Sequence, residues 1–484
     1  MSPPKFLIPD RFERIERLAV SDKLASFISK VEEGIAVIQE FFDEMESAGR
    51  GSLLVLRAAP GTGKSTLLST AHLFLTGVAP KVLDIPADES IPGALDNLPP
   101  SAPSEALRIV IIKGREALGT TSQAELETAI HSINQFIRTK EGEHTLIAWP
   151  CNTDDMQQKL VSLARQVGGT ALLGARNDAV LYAGPHKNTY VSIAKNMILA
   201  LNQGMTLSSL GLTEARAAQL AQDSDTIGAF LLRLAVEAKR NRDGLVNRLP
   251  EKDWYQLWIV VVAGNDIENE VQVLTHGSGY NLDTDRLLEM TQGNVAARLR
   301  KYHEKLGMLS TGMEAKLLHL PSATVMAALL DYADPNDPRD ASFLEKVKLP
   351  SEFKGDGEAR LKKSPLARAL RREPVTTQTV GAKLKPRDDF AALTKFAADN
   401  DRVLNRILGR ALQSCGLITS FLDEQSTGED QKRRSDLLCA TENGPVRLEF
   451  MWRKETDRAS IAGYVLEKLE GYGRAIGYLN GGGV

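Results

Sequence analysis

Apolar and polar residues change rhythm several times along this chain, and the changes divide it. From 11 to 48, Phe12, Ile15, Leu18, Leu24, Phe27, Ile28, Val31, Ile35, Ile38 and Phe41 recur at steps of three and four. That is the spacing of a helical face, and Gly49, Gly51 and Ser52 end it. From 53 to about 190, short apolar runs alternate with helical stretches. The runs 53–57, 81–85, 108–112, 145–149 and 179–183 read as strands, and 122–138 as an amphipathic helix. This alternation predicts a parallel sheet covered by helices. Residues 190–250 read as mostly helical. The run 257–263 is a candidate sixth strand, and 282–300 returns to a helical pattern.

Prolines 335, 338, 350, 365, 374 and 386 then punctuate the chain. Within 354–387, ten lysines and arginines face three acids, a net +7. This reads as a linker or an extended basic arm, either touching phosphates or simply solvated. Beyond it come a helix (401–415), strands at 417–422, 435–440 and 446–452, and a helix (459–476). Asn443-Gly444 marks a hairpin turn. The predicted organisation is a helical segment (1–50), an α/β core (51–200), a helical lid (201–345), a basic linker (346–390) and a small α/β domain (391–484).

Length and composition bound this picture. A chain of 484 residues exceeds one ordinary core. The net charge of −3 gives no whole-chain field toward nucleic acid, so a basic surface must be local. Cys151, Cys415 and Cys439 are far apart and fit no zinc spacing, which suits a reducing compartment. No run approaches the ~18 apolar residues of a membrane span. The expectation is a cytoplasmic protein without a membrane partner.

The most specific motif is Ala58-Ala59-Pro60-Gly61-Thr62-Gly63-Lys64-Ser65-Thr66, between a predicted strand and a predicted helix. Gly61 and Gly63 would turn backbone N–H groups toward phosphates, Lys64 would reach them, and Ser65 would hold Mg²⁺. Ala58 stands where the pattern G-x-x-x-x-G-K-[ST] has its first glycine. The segment resembles the phosphate-binding loop of P-loop NTPases, and with five strands the region resembles the AAA+ and STAND ATPases. That resemblance implies ATP and Mg²⁺, bound by 59–66, and assembly as a homo-oligomer or multi-protein complex.

It also implies an Asp-Glu pair at the end of the third strand. Here that strand runs Ile112-Lys113-Gly114-Arg115-Glu116. Glu116 is the candidate base, with Asp84 or Asp88 assisting the metal. After the fourth strand, Asn152 or Thr153 would be the γ-phosphate sensor, though Thr153 also suits a helix cap. Arg298 or Arg300 would sense the nucleotide from the lid, with Lys187 and Arg176 as weaker fingers. Asn265-Asp266 is either a crevice acid or a loop start.

The C-terminal helix–strand–strand–strand–helix order resembles the PD-(D/E)xK nuclease fold. Asp436 and Glu449 would supply its two metal-binding carboxylates, and Lys468-Leu469-Glu470-Gly471-Tyr472 its Q-x-x-x-Y helix. Met451 stands where the lysine belongs, leaving Lys454, Arg453 or Lys468 to replace it. The overall expectation is an ATP-hydrolysing AAA+/STAND-like protein acting on or signalling from DNA, in bacterial defence or DNA processing. The alternative is a catalytically weak nucleotide-gated scaffold for protein partners.

Overall fold

The structure, a computed structural model, describes residues 6–18, 28–79, 82–99, 107–117, 119, 122–248, 255–291, 294–373, 388–427 and 433–479. The chain divides into two compact units. One comprises Ile8–Leu201 and Ala215–Ala235; the other comprises the first seven residues, Asn202–Glu214 and Val236–Val484.

The first unit holds an all-parallel sheet of β1 (Ser52–Arg57), β2 (Leu83–Ile85), β3 (Arg108–Ile112), β4 (Thr145–Cys151) and β5 (Val180–Leu181). Its order is β2-β3-β4-β1-β5. Alternation along β1 sends Leu53 and Val55 into one apolar cluster and Leu54 and Leu56 into the other, so the sheet is covered on both faces. Helices Gln123–Phe136 and Asp154–Val167 cover the first face, and Glu32–Ala48 the second. A capping box between Ser122 and Glu125 starts the first of these helices. The parallel α/β expectation holds in outline. The expected strand at 81–85 is described from Leu83, and part of the helical preface, 19–27, lies outside the described residues.

The second unit differs from the expected organisation. Its mixed sheet joins β6 (Gln256–Ala263), β7 (Thr275–His276), β8 (Asn281–Leu282), β9 (Lys316–Pro321), β10 (Ser420–Thr427), β11 (Arg433–Thr441) and β12 (Gly444–Arg453). The order is β10-β11-β12-β6-β9-β8-β7. The candidate sixth strand therefore belongs to this sheet, where β6 runs parallel to both β12 and β9. Residues 201–345 are not a separate helical lid, and 391–484 is not a separate domain, because their strands share hydrogen bonds and one apolar core. Helix Asp388–Ser414 adds an ionic tie. Its Arg406 and Arg410 both pair with Asp340, which is fully buried on helix Pro338–Lys346.

The basic stretch is also not extended over its described part. It folds into short helices Gly357–Lys363 and Pro365–Leu370, burying Leu361, Leu366 and Leu370. Arg360 and Lys362 pair with acids four residues earlier, Asp356 and Glu358. Lys383, Lys385 and Arg387 lie outside the described residues. No helix among the described residues is long and apolar enough to cross a membrane.

Candidate functional site

In the first unit, β1 leads into a tight loop and helix Lys64–Thr70. Gly61 and Gly63 have φ of 83° and 95°, a region that side chains with a Cβ rarely enter. Gly61 is also held from outside the loop. Its carbonyl accepts from the Gly228 N–H at 2.9 Å, and a Cβ there would stand 3.0 Å from the Thr226 hydroxyl. Ala58 N–H donates to the Cys151 carbonyl at 3.0 Å, tying the loop to β4.

Lys64 is buried, and its ammonium donates to three neutral oxygens. They are the carbonyls of Ala58 (2.8 Å) and Ala59 (3.1 Å) and Oδ1 of Asn152 (2.8 Å). Burial pulls its pKa down, and the charge of Glu116 partly restores it. Glu116 is set by the turn after β3. Its Oε1 accepts from Gly114 N–H at 2.9 Å, and its carbonyl accepts from Asn152 N–H at 2.7 Å. Trp149 Nε1 donates to the Arg115 carbonyl at 3.1 Å and fixes the same turn.

These residues border a cavity of about 340 Å³. Pro60 through Thr66, Lys113, Glu116 and Asn152 form its polar end. Phe12, Ile35, Met197, Ile227 and Leu231 supply apolar wall, and Asp10, Arg11 and Glu13 line the cavity too. A cluster of polar groups beside apolar wall suits a ligand with a charged tail and a flat apolar body. The apolar wall residues were not legible as site residues, because each also reads as an ordinary core position. The chain matches no protein-family model, and no curated protein sequence matches it significantly.

The other expected residues divide. Thr153 caps helix Asp154–Val167, its hydroxyl accepting from Met156 N–H at 3.4 Å, while its neighbour Asn152 meets Lys64. Asp84 is exposed and pairs with Lys113 at 2.6 Å; it does not line the cavity, whereas Lys113 does. Arg176 pairs with Glu40, and Lys187 donates to the Gln222 carbonyl. Arg298 lies in the second unit, paired with Glu470 at 2.6 Å. Asn265 ties the end of β6 to Thr456, and Asp266 closes its own turn by accepting from Glu268 N–H.

The second unit gathers four more of the expected residues. Leu437 pairs with Leu448 across β11 and β12, which sets Asp436 and Glu449 one step further on. Asp436 accepts from Phe450 N–H at 2.6 Å. Glu449 is fully buried and accepts from Lys468 and, at 2.5 Å, from the Tyr472 hydroxyl. Burial and the charge of Glu449 push the Asp436 carboxyl up to about 7. Lys468, one turn before Tyr472 on helix Arg458–Ala475, thus stands by Glu449. Among the described residues, no group of three or more His, Cys, Asp or Glu could hold a metal unaided.

Proposed function

We propose that the first unit binds ATP with Mg²⁺ and hydrolyses it. The observation that carries this reading is Lys64, a buried ammonium whose hydrogen-bond partners are all neutral and which borders a cavity lined by the glycine turn. A buried cation without a touching counter-ion favours an anionic ligand. The amides of the Gly61–Ser65 turn and Lys64 would take the phosphates, and the base would lie against the apolar wall. Ser65 would hold the metal, whose remaining ligands come from phosphate oxygens and water. Glu116, which lines the same cavity, would orient the attacking water, and Asn152 would read the γ-phosphate.

The resemblance to AAA+ and STAND ATPases extends the proposal to a homo-oligomer or multi-protein complex. The nearness of Asp436, Glu449 and Lys468 supports the nuclease-like reading of the second unit, and with it action on DNA in defence or processing. A nucleotide-gated scaffold is the second reading. It is favoured by Lys113, which stands near the cavity where the resemblance expects an acid.

Steady-state ATP turnover, with and without duplex DNA and beside Lys64→Ala, tests these readings. Turnover that rises with DNA and vanishes in the variant supports the first. Nucleotide binding without turnover supports the scaffold. Binding unaffected by Lys64→Ala overturns both.

A further inference from the structure

A second cavity, of about 420 Å³, lies in the other unit at the starts of β6 and β9. Lys316 opens β9 and is in register with Trp258 on β6 and Asn281 on β8. Partners in register project to one face, so Trp258, Lys316 and Asn281 form a row across three strands. The Lys316 ammonium lies 5.8 Å from the Trp258 ring centre. It donates to the Gly279 carbonyl at 2.7 Å and to Asn281 Oδ1 at 3.0 Å.

Both acceptors are neutral. Glu314, which lines the cavity, is 3.8 Å from Arg372 and partly offsets the burial of Lys316 through its charge, and Glu373 is 3.9 Å from Arg371. His276 cannot supply a negative charge, and burial favours its neutral ring, whose Nδ1 is 3.1 Å from the Gln203 carbonyl. Among the described residues, then, no carboxylate touches this ammonium. Burial lowers its pKa to about 8, so it remains largely charged at neutral pH. A half-buried ammonium whose hydrogen-bond acceptors are all neutral is incompletely compensated, and an anion touching it would be stabilising.

The walls show a second sign of a built site. Gln203, Glu314 and Arg372 all line the cavity in the left-handed backbone region, with φ of 55°, 42° and 56°. Such strain costs on the order of 1–3 kcal/mol per residue and gathers at ligand sites. Met205, Leu282 and Ala369 supply apolar wall, while Gln256, Ser278 and Ser310 supply hydrogen-bonding groups.

We infer that this cavity binds a small organic molecule through an oxyanion, a carboxylate or a phosphate, seated on Lys316. The inference is independent of the ATP reading, since no residue of the phosphate-binding loop takes part.

The test is competitive acylation of the full chain at pH 8 with an N-hydroxysuccinimide acetate, read peptide by peptide by mass spectrometry. Exposed Lys301 serves as the internal reference. Benzoate, acetate and inorganic phosphate, each at tens of millimolar and constant ionic strength, are the probes. At least one should slow Lys316 several-fold while leaving Lys301 unchanged. Protection by benzoate or acetate assigns a carboxylate, and protection by phosphate alone assigns a phosphate. The proposal is overturned if no probe slows Lys316 beyond Lys301, or if the reagent never reaches Lys316. Lys316→Met should abolish the melting shift that the protecting probe gives the unaltered chain, and a shift that survives also overturns it. If that variant does not fold, the labelling result on the unaltered chain decides alone.

Discussion

Asn152→Ala separates two roles that the geometry gives one side chain. Asn152 Oδ1 accepts from the Lys64 ammonium at 2.8 Å, and the other two acceptors are carbonyls of the loop itself. To meet a phosphate the ammonium must surrender a partner, and the Asn152 amide is the one that can turn away without moving backbone. A hydrogen bond to a charged group contributes about 1.5–3 kcal/mol. Removing it should therefore destabilise the empty unit by that amount and the nucleotide-bound unit by less. ADP should bind as tightly or more tightly, by up to about tenfold for each 1.4 kcal/mol of difference. Turnover of ATP should fall, because the γ-phosphate loses its partner. Calorimetric titration with ADP and a non-hydrolysable ATP analogue, beside a turnover assay, measures all three. ADP binding weakened tenfold or more would refute the reasoning, since Asn152 would then be holding the loop in its binding form.

Glu116→Gln should leave nucleotide affinity within a few-fold and cut turnover by about 10²–10⁴, the usual contribution of a positioned base; unchanged turnover would remove Glu116 from the site. Lys468→Met strands the fully buried Glu449 with fewer donors, and should destabilise the second unit by about 3–5 kcal/mol in hydrogen exchange of β11 and β12 amides. His303 is held above its ordinary pKa by its hydrogen bond to Asp285. Its contribution is complete below about pH 6.5 and lost as pH rises through the folded value, so the stability difference between the unaltered chain and His303→Gln should be largest near pH 5–6 and shrink above. A difference independent of pH would show that the imidazolium does not matter.

What the sequence reveals here follows the range of the interaction. Ile109–Ile112 and Leu53–Leu56 announce strands because runs buried on both faces leave a local trace. The run 256–263 announces a strand equally well, yet its neighbour β12 begins almost two hundred residues later, and nothing local says which sheet it joins. The lid and the separate tail domain failed as expectations for that reason. Asn152 and Thr153 were equivalent on sequence, both polar and both at a strand end; only the position of Lys64 separates them. Lys468 was hidden differently. Met451, two places beyond Glu449, shares its face of β12 and is buried, so the cation comes from a helix instead.

Lys64, Lys316 and Lys468 can be ranked by what they touch. Lys64 and Lys316 donate only to neutral oxygens, and Glu116 and Glu314 act on them through charge without touching them, so each ammonium would be stabilised by an anion in contact. Lys468 differs, because its partner is the carboxylate of Glu449, which also accepts from Tyr472. That cluster is already neutralised within the chain, and a substrate phosphate gains little from approaching it as it stands. Cleavage of a phosphodiester at Asp436 and Glu449 would require a divalent ion to displace Lys468 or Tyr472 from Glu449 first. Mg²⁺ should therefore lower the Asp436 pKa from near 7 toward its ordinary value and loosen helix Arg458–Ala475. Carboxyl NMR of Asp436, with and without Mg²⁺, reads the first effect. An unshifted titration would mean that these carboxylates hold the fold together and bind no metal.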